Sequence, residues 1–172
     1  MNQVAEGHLQ TPNINPRFQR KRIMAAIESK MREAADGPPP SVLVIDGSYL
    51  GRNTICTAIR DLGCDVFEAE NGLEGLESAT LLQPDLIVME AFLEEPDGIE
   101  TLIKIRNTPT LTDVPVIMLS VHASTRVVGK ALTEGASDFL IKPVAMQVLQ
   151  ERVEKCLHQG EGFRGRREQR QA

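Results

Sequence analysis

Four side chains with the chemistry of a phosphate or cation site each follow a short apolar run. They are Asp46 after VLVI, Glu90 after LIVM, Ser120 after VIML and Lys142 after FLI. Two carboxylates, a hydroxyl and an ammonium could together bind a divalent cation or contact a phosphoryl group. Any one of them alone would be an ordinary polar residue at a strand exit, but four in series indicate a shared site.

The elements that would position these side chains are strands alternating with helices. The apolar runs are too short for helices and stand beside turn residues, which is typical of strands buried on both faces. Such alternation predicts an α/β doubly wound fold, a parallel sheet covered on both faces, with all four side chains at one sheet edge. The predicted strands are 41–46, 65–69, 85–90, 116–120 and 137–141, and the predicted helices are 50–62, 71–82, 97–107, 124–134 and 144–158.

Composition limits the class of protein. Hydrophobic residues make up 41% of the chain, but Trp is absent and Tyr occurs once, so the core must be aliphatic. No apolar run approaches the roughly 18–20 residues of a membrane span, and no signal peptide is evident, so we expect a cytoplasmic location. Cys56, Cys64 and Cys156 lack the spacing of a metal site or disulfide framework, and we expect them to be packing residues.

Charge is distributed unevenly along the chain. The formal net charge is −5, yet residues 1–40 hold six Lys/Arg against four Asp/Glu, and residues 159–172 hold four against two. Each end therefore has a net charge of +2, which leaves a net charge of −9 for residues 41–158. An acidic body of this kind argues against binding nucleic acid through its phosphates.

The same pattern divides the chain into three parts. Residues 1–40 are expected to comprise a disordered start, an amphipathic helix at about 16–36 and a proline-rich linker. That helix places Met24, Ile27, Met31 and Ala34 on one face, and it could be solvated, pair with a partner or a second copy, or lie on a membrane surface. A folded domain at 41–158 and a basic disordered tail at 159–172 complete the prediction.

Five segments of the folded domain resemble a bacterial response-regulator receiver domain. They are VLVID at 42–46, PDLIVME at 84–90, PDG at 96–98, PVIMLS at 115–120 and EGASDFLIKPV at 134–144. The resemblance covers residues 41–158 in register. It implies a flavodoxin-like (βα)5 sheet with strand order 2-1-3-4-5 and a cis Lys142–Pro143 peptide bond.

The resemblance also implies a role for each candidate site residue. Asp46 matches the first acid of the pair that holds Mg²⁺, and Glu90 stands at the phosphoacceptor position. Ser120 and Lys142 match the hydroxyl and the lysine that contact the phosphoryl group. Phe139 matches the aromatic residue that changes rotamer with the state of the domain.

Three positions depart from the family pattern. Gly47 replaces the second acid, Glu90 stands where the family has aspartate, and Glu94 replaces the usual proline. The formal charges of Asp46, Glu90 and Lys142 then sum to −1. A divalent ion is therefore less needed to balance the charge of the site, and it is less well held. We expect no cofactor, with at most weak or vestigial Mg²⁺ binding at Asp46.

The longer Glu90 side chain leads to the functional prediction. Its carboxylate reaches on the order of 1.5 Å farther than that of aspartate, toward the place of a phosphoryl group. There it could pair with Lys142 and hydrogen-bond Ser120. The sequence thus predicts a pseudo-receiver, a signalling module and not an enzyme, which Glu90 holds in one conformation.

Two other readings stay open. Glu94 or Glu95 could serve as a replacement metal ligand in a working phosphoacceptor, and the basic ends could tether the protein to nucleic acid or a membrane. For the pseudo-receiver we expect a histidine kinase, an output protein or a scaffold as partner, through the 124–158 face or the N-terminal helix, or a homodimer. We expect no output domain after residue 158, and His122 is expected to be an exposed loop residue.

Overall fold

The computed structural model describes residues 38–94, 96–122 and 124–168, with side chains as far as His158. The chain divides into two units, Met1–Pro38 and Pro39–Ala172, and the description covers the second. The amphipathic helix predicted at about 16–36, together with Glu95 and the last four residues, lies outside the described residues.

Five parallel strands form one sheet in the order β2-β1-β3-β4-β5. The three central strands are buried at every position, which explains their unbroken apolar sequences. The predicted flavodoxin-like fold and strand order are confirmed. The strands are β1 (Ser41–Ile45), β2 (Asp65–Ala69), β3 (Leu86–Glu90), β4 (Val116–Ser120) and β5 (Asp138–Ile141).

Five helices connect and cover the strands. Four begin at a capping side chain, Ser48, Asn71, Asp97 or Ser124, which accepts a hydrogen bond from the backbone N–H three residues later. The Lys142–Pro143 bond is cis, as the resemblance implied. The helices are α1 (Tyr49–Arg60), α2 (Gly72–Leu82), α3 (Gly98–Asn107), α4 (Thr125–Thr133) and α5 (Met146–Glu168).

The core lies on both faces of the sheet. On one face, α1 and α5 pack through residues such as Ile59 and Val153, and the three cysteines are buried among them. On the other face, α2, α3 and α4 pack through residues such as Leu102. Among the described residues the buried apolar side chains are aliphatic, Met or Cys, as composition predicted.

The prediction was wrong about the chain after His158. We expected the last helix to end there and residues 159–172 to be disordered, but α5 continues to Glu168. The segment contains no proline, and its Arg, Gln and Glu residues are good helix formers. Its three glycines each cost about 1 kcal/mol, yet extending a helix that already exists avoids the nucleation step.

No helix within the described ranges is long and apolar enough to cross a membrane.

Candidate functional site

The four predicted site residues lie at one edge of the sheet. Glu90 and Ser120 are the last residues of β3 and β4, while Asp46 and Lys142 directly follow β1 and β5. Because these four strands are consecutive neighbours in the sheet, their carboxyl ends adjoin. The sheet order therefore groups residues that are up to 96 positions apart in sequence.

Lys142 joins the two carboxylates. Its Nζ lies 2.6 Å from Asp46 Oδ2 and also donates a hydrogen bond to Glu90 Oε2. The exposed fractions of these side chains are 16% for Lys142, 2% for Asp46 and 10% for Glu90. The ammonium is therefore a largely buried counterion shared by two acids.

The protonation of Lys142 reflects this environment. Burial by itself lowers the pKa of the ammonium. The hydrogen bonds and charges of Asp46 and Glu90 together outweigh burial and raise the pKa above its ordinary value of 10.5. Lys142 is thus a fixed positive charge across the physiological pH range.

Asp46 is held at every polar atom. Its Oδ1 accepts a hydrogen bond from the backbone N–H of Ser48 at 2.8 Å, and its own N–H donates to the Ala69 carbonyl at 3.1 Å. Its carbonyl accepts a hydrogen bond from the guanidinium of Arg52 at 2.6 Å. Sequence reasoning missed Arg52, although it shares the face of α1 that carries Ile55 and Ile59, where a charged residue is unexpected.

The predicted hydrogen bond between Glu90 and Ser120 was wrong. Ser120 Oγ donates to the His122 carbonyl and accepts from the His122 N–H, both at 3.0 Å. A serine hydroxyl readily makes such local contacts with the backbone two residues on. The Ser120 hydroxyl therefore bonds to the loop that follows β4. The other oxygen of Glu90 accepts from the Phe92 N–H at 3.4 Å.

The remaining candidates are Phe139 and His122. Phe139 is partly buried and packs against the core on the α2–α3–α4 side of the sheet. His122 is exposed, as expected, and its ring meets that of Phe92 edge to face with centroids 5.5 Å apart. The role of Phe139 as a switch stays a prediction.

The residues present do not fit a Mg²⁺ site. Both buried carboxylates are paired with Lys142, Gly47 offers no side chain, and Glu94 is exposed. Within the described ranges, no three His, Cys, Asp or Glu side chains group closely enough to hold a metal ion. Mg²⁺ prefers carboxylate ligands in near-octahedral geometry, which this set does not supply.

Comparison with known proteins places this arrangement in a family. Residues 42–154 match the response regulator receiver domain. The chain is 37% identical over 117 residues to the KDP operon transcriptional regulatory protein KdpE of Escherichia coli K12, covering 68% of this chain and 51% of that protein. It is 32% identical over 123 residues to a chemotaxis protein CheY homolog of Campylobacter jejuni, covering 70% and 95%.

Solved structures agree with the sequence matches. A two-component response regulator from Clostridium difficile superposes with a TM-score of 0.65 at 27% identity, covering 69% of this chain and 96% of that one. The chain spans about half the length of KdpE and of three other transcriptional regulators that it matches. From the match over 42–154 and the shared sheet, we conclude that the chain belongs to the response regulator receiver domain family.

Proposed function

We propose that this chain is a pseudo-receiver in two-component signalling. It does not cycle a phosphoryl group, and it acts through contacts with other signalling proteins. The observation that carries the proposal is the Lys142 ammonium, which is shared between Asp46 and Glu90 in a pocket nearly closed to water.

Glu90 is a poor phosphoacceptor in this setting. Phosphoryl transfer depends on positioning the acceptor in line and on neutralising charge, usually with metal ions. Here the carboxylate at the acceptor position already pairs with Lys142, and Gly47 removes an acid that would help to hold Mg²⁺. The pocket therefore contains its own cation, and we expect no cofactor.

The Glu90–Lys142 pair also supports a fixed conformation. A carboxylate carries −1, against about −2 for a phosphate, so the substitution imitates the phosphorylated charge in part. The ion pair is permanent, whereas an acyl phosphate hydrolyses. We therefore expect the domain to hold one pocket arrangement, with the Ser120 hydroxyl bonded to its own loop.

The decisive experiment is incubation with acetyl phosphate and Mg²⁺, read by intact mass. The wild type is expected to stay unmodified. The double variant Gly47→Asp/Glu90→Asp is expected to gain an acyl phosphate, because it restores the acid pair and the shorter acceptor. A Cβ at residue 47 would meet the Glu70 carbonyl oxygen at an ordinary 3.6 Å, so the surrounding backbone leaves room for a side chain to begin there.

The control is Gly47→Asp/Glu90→Ala, which restores the metal ligand but has no acceptor and should stay unmodified. An acyl phosphate on the wild type, lost in Glu90→Ala, would contradict the proposal. It would establish instead a working phosphoacceptor with altered metal ligands.

For the partner we propose a histidine kinase, an output protein, a scaffold or a second copy, contacting the 124–158 face. There β5 is the edge strand of the sheet, and Leu132, Ile141 and Val148 are exposed. Relatives include proteins named as transcriptional regulators, one of them as DNA-binding. We propose that residues 41–158 do not themselves contact nucleic acid, because their net charge of −9 would repel the phosphates.

A further inference from the structure

Arg52 is an arginine in the first turn of α1 that the proposed function does not use. Its side chain is only 1% exposed, which places it among the largest fully buried side chains described. Burying a guanidinium is costly unless it is paired. An apolar side chain of similar volume is often as stable or more stable at such a position, so packing alone does not account for an arginine here.

The contacts of Arg52 extend from Asp46, in the candidate site, to Glu70 on the surface. One terminal nitrogen donates to the backbone carbonyl of Asp46 at 2.6 Å, and the other donates to Glu70 Oε1 at 2.8 Å. Nε lies 3.5 Å from Glu68 Oε2 and has no hydrogen-bond partner within the described residues. The guanidinium also lies 5.9 Å from the centre of the Tyr49 ring.

These contacts connect two strand ends. Asp46 follows β1, while Glu68 lies in β2 and Glu70 directly follows it. A planar guanidinium presents its donors in a fixed fork, so one Arg52 side chain can bond both ends and set their separation. A lysine has a single nitrogen and could not make both bonds in the same geometry.

We propose that Arg52 is a positioning residue, which fixes the Asp46 carboxylate against the Lys142 ammonium by tying the Asp46 carbonyl to Glu70. Arg52 does not contact Lys142; it acts through Asp46, whose carboxylate direction depends on where its backbone is held. The inference deepens the proposed function, because it names what sets the geometry of the same pocket.

The test measures the pKa of Lys142 by NMR titration of its side chain in the variants Arg52→Lys and Arg52→Met. If Arg52 positions Asp46, both variants lower the Lys142 pKa, because Asp46 moves away from the ammonium. If Arg52 acts only as a nearby positive charge, Arg52→Lys leaves the pKa unchanged and Arg52→Met raises it. The two explanations therefore predict opposite signs for Arg52→Met.

Arg60→Met is the matched control. Arg60 is also in α1 and pairs with Glu68 at 2.7 Å, but it is exposed and does not touch Asp46. The Lys142 pKa should not change in this variant. An unchanged or raised Lys142 pKa in a folded Arg52→Met, or an equal fall in Arg60→Met, would overturn the proposal.

A measurement on the wild type keeps the proposal testable if neither Arg52 variant folds. We expect a slowly exchanging terminal N–H of Arg52 with a through-hydrogen-bond coupling to the Asp46 carbonyl carbon. Its absence would contradict the proposal. Neither readout involves phosphorylation, so Arg52 can fail as a positioning residue while the pseudo-receiver proposal stands, and the reverse.

Discussion

At the scale of single residues, the pocket depends on one positive charge between two negative ones. Removing Lys142 would leave Asp46 and Glu90 buried side by side without their shared counterion. Breaking a buried ion pair by deleting one partner is more costly than never having the pair, because the remaining charge is uncompensated. Lys142 is therefore required by the two acids whatever its signalling role.

We predict that Lys142→Met lowers the free energy of unfolding at neutral pH by about 3–5 kcal/mol, measured by urea denaturation. Lys104→Met is the control. Lys104 pairs with Glu100 on the surface of α3, with side chains 45% and 57% exposed, and an exposed pair of this kind contributes about 0–1 kcal/mol. Equal losses in the two variants would contradict a special role for Lys142.

The pH dependence of the same pair follows from the raised pKa of Lys142. The folded state holds this proton more tightly than the unfolded state, so the contribution is fully present below the ordinary pKa of 10.5. It is lost as pH rises through the folded-state pKa. The stability difference between wild type and Lys142→Met should therefore stay constant up to about pH 10 and shrink at higher pH, and a difference that grows with pH would contradict the prediction.

At the scale of elements, the junction of β3 and α3 sets the position of Glu90. Gly98 begins α3, and its N–H donates to the Ala91 carbonyl at 3.1 Å. A Cβ at this position would meet the Glu90 carbonyl oxygen and, at 2.8 Å, the Cα of Ala91. These are backbone atoms that cannot turn aside, so the glycine is required by this close approach.

We predict that Gly98→Ala destabilises the domain by about 1–3 kcal/mol, measured by thermal and urea unfolding. Gly129→Ala is the matched control, because a Cβ on that residue of α4 meets nothing within 4 Å. Replacing a helical glycine by alanine there should stabilise by about 0.5–1 kcal/mol. A stabilising Gly98→Ala would show that helix propensity, and not the approach to β3, governs residue 98.

The helices differ in how firmly they are anchored. In α3, Ile99, Leu102 and Ile105 are buried, whereas α4 buries only Ala131. An element with few buried contacts opens more easily than one fixed in the core. This difference places the more readily rearranged helix beside Ser120 and on the face proposed for partner binding.

At the scale of the whole molecule, α5 is the longest helix described, and its described buried residues lie near its start. Its buried residues Leu149, Val153 and Cys156 all precede His158, while the backbone helix continues to Glu168. The described core contacts of α5 therefore lie in its first half. The second half adds helix without adding described core contacts.

We predict that a chain ending at His158 keeps its free energy of unfolding within about 1 kcal/mol of the full chain. Its helical circular dichroism should fall, because ten helical residues are removed. A chain ending at Arg152 is the control and should be much less stable, since burying Val153 alone is worth about 1.5–3 kcal/mol. A large loss from the first truncation would show that residues after His158 pack against the domain.

Residue types and their order were enough to predict the fold of residues 41–158. Strands buried on both faces must be continuously apolar, and caps such as Asn71 and Asp97 must stand just before their helices. These local requirements fix the order of strands and helices along the chain. The sequence also predicted that Asp46, Glu90, Ser120 and Lys142 would gather at one edge, because parallel strands bring their carboxyl ends together.

Which of those groups bond to each other was seen only once the segments had packed in three dimensions. Ser120 turned to the backbone of His122 and not to Glu90, and Arg52 joined the support of Asp46 from a helix face that otherwise reads as core. Hydrogen bonds depend on distances of a few tenths of an ångström and on competing partners. Residue types and spacing do not specify these, because they arise only when separate segments pack together.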